Sequence, residues 1–86
     1  MSAIDDVIGA LSDVVGKLDE ASTGAQAAQT ETEEALGTAV ALGANAAIEG
    51  MSAVKEQVET LLGLLSGARE GADEALATAK AVADST

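Results

Sequence analysis

The chain has 86 residues, a net charge of −11 from 15 acidic and 4 basic residues, and no Phe, Tyr, Trp, His, Cys or Pro. Without His or Cys there is no ordinary zinc site, no disulfide, no thiol nucleophile and no His-based acid–base catalyst. Of the apolar residues that make up 48% of the sequence, 20 are Ala, which leaves too little bulk for a thick globular core and points to an elongated assembly.

A chain this short is marginal alone unless it is stapled, metallated or oligomerised. With the first two remedies excluded by composition, self-association or a partner is expected. Nucleic acid and anionic membrane surfaces both need clustered Lys or Arg, so neither is expected as a partner. Mean hydropathy is +0.24 and the apolar residues are patterned, which opposes disorder. No basic region followed by an apolar run opens the sequence, so no secretory signal peptide is expected. The longest uncharged stretch, 35–48, is mostly Ala and Gly and too short to cross a bilayer as a helix. The expected location is cytoplasmic, with signal-independent secretion left open.

In chain order, Ser2 and Asp5 have the spacing of a capping box, and Asp5 and Asp6 suit the positive end of a helix dipole, so a first helix is expected over about 3–42. Its apolar register alternates steps of three and four: Ile4, Val7, Leu11, Val14, Leu18, Ala21, Ala25, Ala28, Thr32, Ala35, Ala39, Leu42. Gly24, after Ser22 and Thr23, is a candidate break. A turn is expected over about 43–50, with Gly43 as the helix-ending residue and Asn45 as the N-cap of the next helix. A second helix over about 51–83 repeats the pattern with Met51, Val54, Val58, Leu61, Leu65, Ala68, Ala72, Ala75, Ala79 and Val82. Only Thr32 interrupts these two series, and such spacing sustained over many heptads indicates coiled-coil-like helices. Pairs four residues apart, Asp13–Lys17, Lys55–Glu59, Arg69–Asp73 and Lys80–Asp84, add minor support.

Bulk lies early in both registers and Ala late. Folding the chain back at 45–47 sets large against small throughout, with Leu11 near Ala79, Leu18 near Ala72 and Ala35 near Val54, whereas parallel pairing sets bulk on bulk. The expected fold is therefore all-α, an antiparallel two-helix hairpin in one domain, dimerising or docking into a four-helix bundle. Gly9, Gly16, Gly37 and Gly63 share one heptad position opposite the seam, where they either admit another helix or loosen an exposed face.

No constellation carries chemistry. Glu31, Glu33 and Glu34 form the densest acidic cluster, but adjacent helical carboxylates diverge around the axis and no Ca²⁺-binding loop pattern exists, so no metal site and no cofactor are expected. No acidic residue falls on either register, and Ser12, Ser52 and Ser66 have no His to activate them. An enzyme is not expected.

The remaining signal is surplus apolar surface. Ile8, Val15 and Leu36 flank the first register, Leu62, Leu64 and Leu76 the second, and with Leu61 and Leu65 they make a candidate partner-binding set for a second copy of the chain or a helical protein. A structural building block, stacking through Gly/Ala faces into a cage, filament or coat, is the alternative.

The layout resembles the helical hairpins of the WXG100 (ESX) type. It is similar, more closely, to small Ala-rich helical proteins that occur beside secreted toxins in actinobacteria, through Ile4-Asp5-Asp6-Val7 and the run Val14-Val15-Gly16-Lys17-Leu18-Asp19-Glu20-Ala21. The first resemblance implies dimeric substrates or escorts of a type VII secretion system. With no Trp and no Tyr, neither the W-x-G turn nor the Tyr-containing export signal of that type has a counterpart, and no functional residue is carried over.

Overall fold

The computed structural model describes residues 2–85. Two α-helices of 40 residues each, α1 (Ala3–Leu42) and α2 (Asn45–Asp84), pack against one another as a hairpin 64 Å long and 16 by 12 Å in cross-section. The described residues contain no strand.

The start of α1 follows its local chemistry. Ser2 is extended (φ −87°, ψ 159°) and its side-chain oxygen accepts a hydrogen bond from the Asp5 backbone N–H at 3.3 Å, satisfying one of the donors that a helix start leaves open. Helix α1 then runs unbroken through Gly24.

The turn is tighter than 43–50. Gly43 adopts φ 65°, its N–H reaches the Val40 carbonyl at 3.1 Å, and the Ala44 N–H reaches the Ala39 carbonyl at 3.0 Å. This pair of bonds is the Schellman arrangement, in which a left-handed residue satisfies two terminal carbonyls and reverses the chain within two positions. Helix α2 accordingly begins at Asn45, six residues earlier than its heptads suggest. Asn45 is the first helical residue and Ala44 the cap, with no side-chain capping bond. The stretch 45–50 reads as a loop only because Ala and Gly disguise helix as linker; once the chain has reversed, nothing there opposes helix.

The seam is rotated from the expected register. In α1 the residues turned toward the partner helix are Ile4, Ile8, Leu11, Val15, Leu18, Ser22, Ala25, Gln29, Thr32, Leu36 and Ala39. In α2 they are Ala44, Ile48, Met51, Val54, Lys55, Val58, Leu62, Leu65, Arg69, Ala72, Leu76, Ala79 and Ala83, counting the cap residue. One set of positions seven apart in the expected series is retained; of the alternate set only Val54 stays half-buried. Val7, Val14, Ala21, Ala28, Ala35, Leu42, Leu61, Ala68, Ala75 and Val82 are exposed, and the residue following each of the first five and of Leu61, Ala68, Ala75 and Val82 faces inward instead. The rotation exchanges a stripe made largely of Ala for one that carries Ile8, Val15, Leu36, Leu62 and Leu76, which removes more apolar area from water.

The core is thin. Among the described residues only Ala25, Ala39, Ala72 and Ala79 of the apolar ones are buried, together with Thr32, and no large side chain is fully enclosed. The Thr32 hydroxyl is satisfied locally, donating to the Ala28 carbonyl at 2.7 Å. The accessible surface is 5626 Å², against about 4,600 Å² for a compact monomer of this mass.

Candidate interaction face

Two stripes flank the seam on each helix, and their chemistry differs. One residue after Ile4, Leu11, Leu18, Ala25, Thr32 and Ala39 come Asp5, Ser12, Asp19, Gln26, Glu33 and Val40; after Ala44, Met51, Val58, Leu65, Ala72 and Ala79 come Asn45, Ser52, Glu59, Ser66, Asp73 and Lys80. All but Val40 are polar. The antiparallel pairing brings these two polar stripes to one side of the hairpin, where Arg69 of α2 joins Asp19 of α1 and Asp73 of its own helix, the latter at 3.2 Å. The hydrogen bond that Arg69 donates to the Asp73 carboxylate and the charge of Asp19 raise the Arg69 guanidinium above its ordinary value. A shallow groove of ≈ 450 Å³ lies on the same side, lined by Ser22, Gln26, Gln29, Leu62, Ser66, Arg69 and Glu70.

Asp19 and Arg69 each lie 25 residues from Ala44, so residues equidistant from Ala44 sit at the same height in the hairpin. This register sets Ile8 level with Ala79 and Ala83, Val15 with Ala72, and Ala39 with Ile48, in the large-against-small manner expected.

The opposite side carries the other two stripes. They comprise Val7, Val14, Ala21, Ala28, Ala35 and Leu42 on α1, and Ala47, Val54, Leu61, Ala68, Ala75 and Val82 on α2; every one is apolar. They form a continuous apolar face along the length of the molecule. Five of its six large residues are exposed, Val7 46%, Val14 45%, Leu42 77%, Leu61 46% and Val82 45%, and the sixth, Val54, is half-buried at the edge of the seam. An uninterrupted exposed apolar face of this extent is unusual for a surface that meets only water.

Of the eight candidate partner-binding residues, Ile8, Val15, Leu36, Leu62, Leu65 and Leu76 are half-buried toward the other helix of the hairpin, and Leu61 and Leu64 are exposed. Leu61 lies on the apolar face, whereas Leu64, at 67% exposure, lies on the outer side of α2. The face was hidden in the sequence because its residues fill the alternate positions of an apolar series that reads as the seam itself. The signal that separates the two is bulk: each helix carries three adjacent apolar stripes, and the stripe richer in Leu and Ile turns inward.

None of the glycines has an atom within 4 Å of where a Cβ would stand, so no glycine mediates close approach inside the hairpin. Of the expected ion pairs, Arg69–Asp73 forms, and Lys17 joins Glu20 at 3.7 Å in place of Asp13. Among the described residues no three carboxylates converge as a metal-holding group, and no helix is long and apolar enough to cross a membrane. No family model matches the chain, and no curated protein and no solved structure matches it.

Proposed function

We propose that this chain is a non-enzymatic helical interaction module whose working surface is the apolar face defined by Val7, Val14, Leu42, Leu61 and Val82. The observation that carries this reading is that all twelve residues of the two stripes are apolar, whereas on the other side every residue at the matching heights but Val40 is polar. A helix exposed on one side of a hairpin needs apolar residues only along its seam; a third apolar stripe is the pattern of a helix that packs on two neighbours. A helical partner laid along this face covers it. A setting as escort or component in a type VII-like secretion or toxin locus is proposed on the resemblance of the hairpin alone.

The test compares Val14→Glu/Leu61→Glu, on the face, with Leu64→Glu, more exposed but off it. The purified wild-type chain is expected either to sediment above 8.4 kDa or, as a monomer, to bind a fluorescent apolar dye. The double variant loses that property and Leu64→Glu keeps it. A wild-type monomer that binds no dye, or a Leu64→Glu variant indistinguishable from the double variant, overturns the reading.

A further inference from the structure

We infer that the partner covering the apolar face is a single amphipathic helix of another protein, basic along the edge that lies over α1. The inference rests on the proposed interaction face and adds the chemistry of its partner.

Shape admits one helix. The hairpin is 16 Å wide and a helix with its side chains is about 10 Å across, so one helix seated along the seam touches the exposed stripes of both α1 and α2. Ala21 and Ala68, nearly level near the middle of the face, leave room there for bulky side chains of the partner.

Charge then selects the partner. The outer border of each exposed stripe consists of the residues three after and one before its members, as the helical period dictates. On α1 this border carries five exposed carboxylates, Asp6, Asp13, Glu20, Glu31 and Glu34, and one cation, Lys17, which Glu20 engages at 3.7 Å. On α2 the same border, among the described residues, carries a single charge, Glu74. The remaining cations lie elsewhere, Lys55 and Arg69 in the inward series of α2 and Lys80 on the polar side. A helix on the face therefore meets an acidic wall along one edge and an almost uncharged wall along the other. Axes of packed helices lie about 8 to 10 Å apart, comparable to the screening length of about 8 Å at physiological salt. Lys or Arg along the first edge is attracted over that distance, and Asp or Glu is repelled.

The same distribution counts against a second copy as the occupant. It would bring the same acidic border to the contact, and no cation on that border beyond Lys17, so like charges would meet uncompensated.

The test is titration calorimetry of the purified chain with synthetic helical peptides of about 35 residues, long enough to follow most of the 64 Å face. One peptide carries Leu along one side and Lys on both flanks, so that either direction presents a basic edge to α1. A second has Glu in place of Lys, and a third has Ser in place of Leu. The chain alone is expected at 8.4 kDa. The Leu/Lys peptide is expected to bind one to one, at least about tenfold more tightly than the other two, and to weaken as salt rises. Glu20→Lys/Glu31→Lys, on the acidic border, and Glu33→Lys/Glu59→Lys, on the polar side, change net charge equally. The first is expected to weaken the Leu/Lys complex several-fold more than the second. Equal losses, or a Leu/Glu peptide that binds as well, overturn the basic partner; so does a chain that sediments above 8.4 kDa and excludes the peptide. Val14→Glu/Leu61→Glu adds two negative charges, which would tighten a complex held by charge alone, and is expected instead to abolish binding. Undiminished binding by that variant, or equal binding of the Ser/Lys peptide, places the peptide off the face and overturns this inference. In each of these cases a wild-type chain that binds the apolar dye keeps the interaction face with a different occupant; a monomer that binds neither dye nor peptide loses both readings.

Discussion

Glycine 43 and the other glycines do opposite things with the same side chain. Gly43 at φ 65° occupies the left-handed region that closes the turn, so Gly43→Ala is expected to cost about 1 kcal/mol and to lower the thermal midpoint followed by circular dichroism. Gly24 sits inside an exposed helix with nothing within 4 Å of an added Cβ, so Gly24→Ala is expected to stabilise by up to about 1 kcal/mol. Measuring both in one background separates conformational strain from helix propensity; a stabilising Gly43→Ala would contradict the geometry of the turn. Thr32 is a third single-residue case. Its hydroxyl is buried yet bonded within its own helix, so Thr32→Val is expected to change stability by less than about 1 kcal/mol.

Each helix combines an inward stripe that is not wholly apolar with an outward stripe that is. Lys55 and Arg69 stand in the inward series of α2, where the narrow hairpin lets their aliphatic stems cover apolar neighbours while the charged ends reach water. Arg69 also ties α2 to α1 through Asp19, and charged groups beside a seam set register more than they add stability. A double-mutant cycle on Arg69→Met and Asp19→Asn is expected to give a small coupling that declines with added salt. A coupling that salt leaves unchanged would show that the pair is shielded from solvent, contrary to its 37% and 59% side-chain exposure.

Charge governs the molecule as a whole. With −11 on a rod 16 by 12 Å across, like charges lie close along its full length. Such repulsion opposes the compact state. Thermal stability is expected to rise as salt increases from about 0.01 to 0.5 M, over which the screening length falls from about 30 Å to below 8 Å. The sign is the test: if stability instead fell as salt rose, the attraction of the Asp19–Arg69–Asp73 cluster would outweigh the general repulsion.

The hairpin itself was legible in the amino acids, because it depends on local properties. Heptad spacing, the Ser2 cap, a glycine at the midpoint and the opposed gradients of side-chain size each act within a few residues or by simple length matching. Which stripe of each helix turns inward could not be read from apolarity alone, since three adjacent stripes carry apolar residues and a count favours the pair that includes Val7, Val14 and Leu61. The tertiary structure decided between them by burying the bulkier stripe and leaving the Ala-rich one outside, at the expense of admitting Ser22, Gln29, Lys55 and Arg69 to the seam. Burial area belongs to the pair of helices and not to either alone, and for that reason the interaction face emerged only when both were in place.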